Sequence, residues 1–211
     1  MAKVGSSIFD IRGKLGDLVY YSYRGKRIVR RASTGKRINS SQIQLEHQAK
    51  FKVMGNFLRS LHDFLKVTYK VYNRNKTGYQ KAFSENYRVA LSGTYPSFSI
   101  DYSKVRLGNG ILPNAMDPLV NSPEPGKLVF SWGENDKGDR SMSSDQFYVA
   151  IYSEKFKQWY FNFKNAERYK KFCRVDATYF SGTRVQVYIG FVSADGKQVS
   201  TPLYTGALTV S

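Results

Sequence analysis

The stretch KLVFSWGENDKGDRSMSSDQFYVAIY, residues 127–152, decides the interpretation of the second half of the chain. Its two ends, residues 127–132 and 148–152, are rich in aromatic and β-branched residues, and the polar run between them is typical of a turn. Segments of the same kind occur before and after it: SFSIDYSKVRL, KQWYFNF, RVQVYIGFVS and PLYTGALTV. Several short strands at this spacing predict an antiparallel β-sandwich that occupies about residues 96–211.

Proline marks where this second part begins, because all six prolines lie after residue 95. We expect residues 96–126 to form a strand and a long crossing loop, with the loop over 107–126. Residues 127–211 then form the sandwich domain proper. Strand alternation predicts that Trp132, Val149 and Val187 are buried in its core.

A helical pattern precedes the sandwich. Apolar residues recur every four positions from Leu45 to Leu65, which predicts a helix over 41–73 with one buried face that includes Phe57 and Leu61. A second helix is predicted over 77–92, with a capping box formed by Thr77 and Gln80, Phe83 buried, and Gly93 at its end. The short link between the helices predicts an antiparallel pair.

The first 33 residues have the pattern of short strands. SSIFDI, DLVYYSY and KRIVRRAS are separated by RGKLG and by the Arg24-Gly25-Lys26 turn, so we expect a small antiparallel hairpin or meander followed by a polar connector over 34–39. Residues 1–95 are therefore interpreted as one basic region of strands and two helices. Together with the sandwich, this predicts the α+β class.

The charge of the chain is concentrated near its start. Thirty-three Lys and Arg residues oppose 16 Asp and Glu residues, so the formal net charge is +17. Residues 1–40 carry +8 (ten basic, two acidic) and residues 41–95 a further +6 (nine basic, three acidic). Such a field attracts anionic partners: nucleic acid, a membrane surface or an acidic protein.

Seven cations around the second turn of the meander are predicted to bind this anionic partner: Arg24, Lys26, Arg27, Arg30, Arg31, Lys36 and Arg37. The neighbouring tyrosines at 20, 21 and 23 would suit base stacking beside phosphate contacts. The simpler alternative is a solvated basic hairpin whose tyrosines pack across strands. If residues 26–31 form a strand, Arg30 and Arg31 lie on opposite faces.

Residue types that carry catalysis or bind metals are sparse. The two histidines, His47 and His62, would lie about 22 Å apart along one helix, which is too far to share an ion. Cys173 is the single cysteine, so it has no spaced partner for zinc or for a disulfide. The acidic run GENDKGDR does not match an EF-hand loop and is interpreted as a solvated turn. We expect no enzyme activity, no cofactor and no metal.

Two resemblances add to this interpretation. The residues Lys127–Trp132, Tyr148–Tyr152 and Val185–Phe191, with the Asp195-Gly196 turn, resemble a fibronectin type III or related immunoglobulin-like sandwich. Such a resemblance implies a binding or spacer module. The N-terminal string Gly13-Lys-Leu-Gly16, Arg24-Gly-Lys26 and Val29-Arg30 is similar to an uncharacterised family of bacterial proteins of comparable length, and it implies no activity.

These patterns favour a non-enzymatic structural or assembly protein with protein partners, expected to be oligomeric. By analogy with virion and tail machines that combine helical parts with sandwich modules, we expect a phage or prophage virion component. The alternative is a nucleic-acid-binding protein that uses residues 1–95. The start of the sequence lacks the apolar stretch of a signal peptide, and no run is long enough to cross a membrane, so the cytoplasm or a virion assembled there is the expected location.

Overall fold

The computed structural model describes residues 3–4, 11–23, 25–33, 40–70, 76–134 and 142–211. Contacts divide the chain into two compact units, Met1–Ser41 and Gln42–Ser211. The helices therefore group with the sandwich and not, as was expected from the sequence, with the N-terminal strands. The predicted connector over 34–39 and most of the segment SSIFDI lie outside the described residues.

The first unit is a four-stranded antiparallel meander in the order β1-β2-β3-β4. Its strands are β1 Lys3–Val4, β2 Ile11–Leu15, β3 Leu18–Tyr23 and β4 Lys26–Arg31. The expectation that RGKLG is a turn was wrong, because residues 12–15 belong to β2 and only Gly16-Asp17 turn the chain. Gly16 (φ +56°) and Gly25 (φ +74°) adopt the left-handed conformation that two-residue hairpin loops need.

The second unit begins with a helical run over residues 42–68. It consists of α1 Gln42–Leu58, a 3₁₀ turn Arg59–Leu61 and α2 His62–Thr68. Helix α3 follows at Gly78–Val89, and its start has the predicted capping box: Gln80 N donates to the Thr77 hydroxyl (3.2 Å), and Thr77 N donates to Gln80 Oε1 (3.1 Å).

The predicted end of α3 was wrong. The helix stops at Val89, and Leu91–Thr94 forms strand β5, which pairs with β6 at Ser97–Ile100. Gly93 (φ +90°) lies opposite Phe98 in this hairpin and does not cap the helix. Pairing with residues beyond the turn outweighs the local helical pattern, because it satisfies the backbone groups of residues 91–94.

Seven strands form the sandwich. They are β7 Met116–Glu124, β8 Lys127–Gly133, β9 Gln146–Ser153, β10 Gln158–Glu167, β11 Phe172–Asp176, β12 Arg184–Val192 and β13 Leu203–Thr209. One sheet has the order β11-β8-β7 and the other β10-β9-β12-β13, all antiparallel. The predicted immunoglobulin-like sandwich is thereby confirmed. Trp132, Val149 and Val187 are buried between the two sheets, as expected.

Strand β7 corrects the expectation of a crossing loop over 107–126. Residues 116–124 pair with β8 as an edge strand, and the pairing register shifts on either side of Pro118 and Pro123. An edge strand tolerates proline, because one side of its backbone needs no partner and bulges absorb the missing N–H groups.

The helices form a third layer on the outer face of the sandwich sheet β10-β9-β12-β13. Phe57, Leu61 and Phe64 pack against Tyr148, Tyr152 and Trp159, and the Trp159 indole donates to the Phe57 carbonyl (2.7 Å). Strand β9 is consequently buried on both faces. Phe83, which was predicted to be buried, is only half-buried at the rim of this layer. Among the described residues, no helix is long and apolar enough to span a membrane.

Candidate interaction surface of the N-terminal sheet

Strand pairing in the first unit sorts its side chains onto two different faces. Val19 lies opposite Lys14 on β2 and Arg30 on β4, and Tyr23 lies opposite Lys26. Directly paired residues share a face, and side chains alternate along each strand. The register therefore determines which residues lie together.

One face, which we call the basic face, carries six exposed side chains: Arg12, Lys14, Tyr21, Tyr23, Lys26 and Arg30. Tyr21 and Tyr23 are 41% and 52% exposed on the inner strand β3. The cations occupy the strands on both sides of it. The tyrosines consequently lie between two rows of positive charge.

The opposite face, which we call the apolar face, carries Ile11, Leu15, Leu18, Tyr20 and Val29, with Arg27 and Arg31 along the β4 edge. Leu15 pairs with Leu18, and Tyr20 pairs with Val29, so the patch is contiguous. Leu15, Leu18 and Val29 are 54%, 41% and 52% exposed.

The described residues 11–33 of this sheet form no buried core. None of the described residues between 11 and 33 falls in the buried class. Three or more strands normally become stable by burying one apolar face. A contiguous exposed apolar patch of this kind is typical of interaction surfaces.

Three cations of the basic face have no acidic partner among the described residues. Lys14, Lys26 and Arg30 make no ion pair with any described residue. Asp17 is the sole acidic residue in the sequence 11–33, and it lies in the β2–β3 turn, where its carbonyl accepts from Ala32 N.

The predicted binding residues do not form one cluster. Lys26 and Arg30 belong to the basic face, and Arg27 and Arg31 belong to the apolar face. Arg24, Lys36 and Arg37 lie outside the described residues.

Sequence reasoning missed two members of the basic face, Arg12 and Lys14. They were assigned to a turn, yet they lie on β2 beside Val19 and Tyr21. The alternation Arg12-Gly13-Lys14 was the available signal, since a strand places both cations on one face.

The helix–sandwich unit holds the histidines in packing roles. His47 Nδ1 lies 2.8 Å from the Tyr87 hydroxyl, and the His62 ring stacks on Tyr79 with 6.0 Å between centroids. Within the described residues, no group of three His, Cys, Asp or Glu side chains could hold a metal ion.

Two other residues that the sequence analysis considered, Cys173 and Glu134, are also held in structural contacts. Burial raises the pKa of the Cys173 thiol to about 11, which keeps it protonated and weakly nucleophilic near neutral pH. In the run GENDKGDR, the Glu134 carboxylate accepts from Lys171 (2.8 Å), and Asp136 and Asp139 lie outside the described residues.

One cleft of about 600 Å³ lies between α1, β6 and β9. Phe57, Tyr102 and Tyr152 are among its aromatic lining residues, and Glu154 is the carboxylate among the residues that line it. The Glu154 side chain already accepts a hydrogen bond from the Gln186 amide. The lining therefore lacks the paired carboxylates that acid–base hydrolysis uses.

The fold thus defines a helix-covered immunoglobulin-like sandwich preceded by an exposed basic meander. The chain belongs to the family of unknown function DUF6266, whose model matches residues 10–206. No curated protein matches it.

Two solved structures are similar to about half of this chain. The fibronectin type III domain of the human collagen alpha-1(XX) chain is 10% identical with a TM-score of 0.37, and it covers 49% of this chain and 90% of its own. A structure described as a myokine is 13% identical with a TM-score of 0.34, and it covers 47% of this chain and 98% of its own.

Proposed function

We propose that this protein is a non-enzymatic assembly protein that docks on a partner protein through the apolar face of its N-terminal sheet, with the sandwich as a spacer or interaction module. The observation that carries the proposal is the absence of any buried residue among those described between 11 and 33. Leu15, Leu18 and Val29 are about half exposed, so burying the rest of each side chain stabilises a complex by roughly 0.7–1.5 kcal/mol, about half the value for a fully exposed one.

The charge beside the apolar patch supports an acidic partner. Arg27 and Arg31 border the apolar patch on β4, so a complementary surface needs an apolar centre beside carboxylates. A second copy of this face would bring like charges together. The proposed partner is therefore a different protein surface with acidic groups, within an assembly that contains several chains.

A photo-crosslinking experiment tests the docking. The crosslinker p-benzoylphenylalanine is placed at Leu18 on the apolar face and, as a control, at Ile43 on α1, which is 68% exposed. We expect one discrete adduct from position 18 in the cell of origin, with the linked peptide rich in Asp, Glu and apolar residues.

The adduct should disappear when Val29→Glu is added, and position 43 should give none. Equal adducts from both positions, or an adduct that survives Val29→Glu, would contradict the proposal. A monomeric native mass in the same cells would do so as well.

A place in a phage or prophage virion is the more specific part of this proposal. It is supported by analogy with machines that combine helices and sandwich modules. Mass spectrometry of particles purified after prophage induction tests it, and we expect the protein at stoichiometric copy number in intact particles.

A further inference from the structure

We infer that the basic face of the N-terminal sheet binds single-stranded nucleic acid, with two successive bases stacked on Tyr21 and Tyr23. This goes beyond the proposed docking, since it uses the opposite face of the sheet and a different ligand. The two tyrosines are separated by one residue on β3, so their Cα atoms lie about 7 Å apart along the strand. That spacing is similar to the rise per nucleotide of an extended single strand.

The cations lie where they could contact the phosphates of a nucleic-acid strand that runs along β3. Arg12 and Lys14 lie on β2, and Lys26 and Arg30 lie on β4, each strand about 4.8 Å from β3. Phosphates on either side of the stacked bases therefore fall within reach of Lys and Arg side chains. Aromatic platforms flanked by positive charge are the common solution for binding single strands.

Protection of a sheet edge does not account for this pattern. Edge strands often carry Lys and Arg to prevent pairing with other chains, and such charges belong on the edge strand itself. Here β4 is an edge, whereas Arg12 lies on β2 opposite Lys3 of β1 and is therefore not at an edge. The cations of the basic face lie on the two strands that flank β3.

The exposed rings distinguish a single strand from other polyanions. Bases inside a duplex are stacked on each other and cannot stack on side chains, so Tyr21 and Tyr23 would contribute little to duplex binding. A carboxylate-rich peptide would use the cations and leave the rings without a planar partner. Both alternatives are outcomes of the experiment below.

The test measures fluorescence anisotropy of the full-length protein with labelled dT12, with rU12 and with a 12-base-pair duplex, from 20 to 200 mM salt, with poly-L-glutamate as competitor. We expect dT12 or rU12 to bind roughly tenfold or more tightly than the duplex, because stacking adds affinity only for the single strand. Four phosphate contacts predict a slope of about −3 in log K against log salt concentration.

Matched variants on one strand separate a site from general charge. Lys26→Gln with Arg30→Gln removes two cations from the basic face, and Arg27→Gln with Arg31→Gln removes two from the apolar face. The first pair should weaken the slope by about 1.4 units, and the second should leave it nearly unchanged. None of these four exposed side chains is part of a packed core, so both variants are expected to fold.

Tyrosine variants test the stacking itself. Tyr21→Ala with Tyr23→Ala should weaken dT12 binding roughly 5- to 100-fold at constant salt, and Tyr21→Phe with Tyr23→Phe should retain it. Equal losses in the two charge variants would overturn the inference. Duplex binding as tight as single-strand binding, or poly-L-glutamate binding that depends on the same cations with no single-strand preference, would overturn it too.

Discussion

Replacing Arg168 by methionine should lower the free energy of unfolding of the helix–sandwich unit by about 3–5 kcal/mol, because it breaks a buried ion pair and leaves the second charge in place. Arg168 is 1% exposed. Its Nε donates to Asp145 Oδ2 (3.2 Å), its Nη2 donates to the Pro113 carbonyl (2.9 Å), and its guanidinium lies 3.7 Å from the centre of the Phe191 ring.

The magnitude follows from what the variant leaves behind. Methionine occupies a similar volume, so the cavity term is small, and the cost comes from the Asp145 carboxylate, which is also buried. The unit has 170 residues, for which each kcal/mol corresponds to roughly 2–4 °C in Tm, so the expected decrease is about 6–20 °C.

Urea denaturation followed by tryptophan fluorescence measures this change, because both tryptophans, Trp132 and Trp159, lie in the same unit. Arg174→Met is the matched control: its side chain is 60% exposed and lies 3.7 Å from Glu124, so we expect a loss below about 1 kcal/mol. A loss below 1 kcal/mol for Arg168→Met, or equal losses for both variants, would refute the reasoning.

Three further predictions concern the same unit. Phe57→Ala and Trp132→Ala should each destabilise it by roughly 3–5 kcal/mol in the same urea assay, because both side chains are buried in separate cores, and no change in midpoint for either would contradict the core assignment. Gly110→Ala should cost roughly 1–3 kcal/mol, since an added Cβ would collide with the Val199 carbonyl, and unchanged thermal stability would disprove that contact. Cys173 should resist iodoacetamide at pH 7–8, because alkylation needs the thiolate and the pKa of the thiol is about 11. Its rate of alkylation should rise about tenfold per pH unit up to that pKa, as followed by mass spectrometry. Rapid labelling of the folded protein at pH 7 would show instead that the thiol is accessible.

The parts of the fold that sequence predicted are those governed by local chemistry. The capping box of Thr77 and Gln80 depends on two side chains three residues apart, and both of its bonds are present. Trp132 is at the buried position that strand alternation assigns to it. These signals require no knowledge of distant segments.

Errors arose where distant pairing overrides a local pattern. Leu91 continues the apolar stripe of α3, yet it pairs with Ile100 in the β5–β6 hairpin. Residues 107–126 were expected to form a loop, but β7 is an edge strand that tolerates Pro118 and Pro123. The packing of the helices on β9 was also not predictable, since nothing local specifies which surface covers the second face of that strand.

In the basic face, too, some residues could be predicted from the local sequence and others only from strand pairing. The local charge pattern around Lys26 and Arg30 was visible in the sequence, but the contribution of Arg12 and Lys14 depends on the register between β2 and β3. Predicting that register required the turn to be assigned to two residues and not to five. A change of one residue in this register would move Arg12 and Lys14 to the other face, away from Lys26 and Arg30.

The absence of buried residues in the described part of the N-terminal sheet connects its stability to its function. The strands are rich in Ile, Val, Leu and Tyr, which favours extended backbone, but a meander that buries neither face lacks the main source of folding free energy. Its cations also repel one another. A partner that covers the apolar face would supply the missing apolar burial, and an anion on the basic face would reduce the repulsion between the cations. Binding at either face should therefore stabilise the strands that form the other. The two proposed ligands would then act cooperatively through the stability of one sheet, without any contact between them.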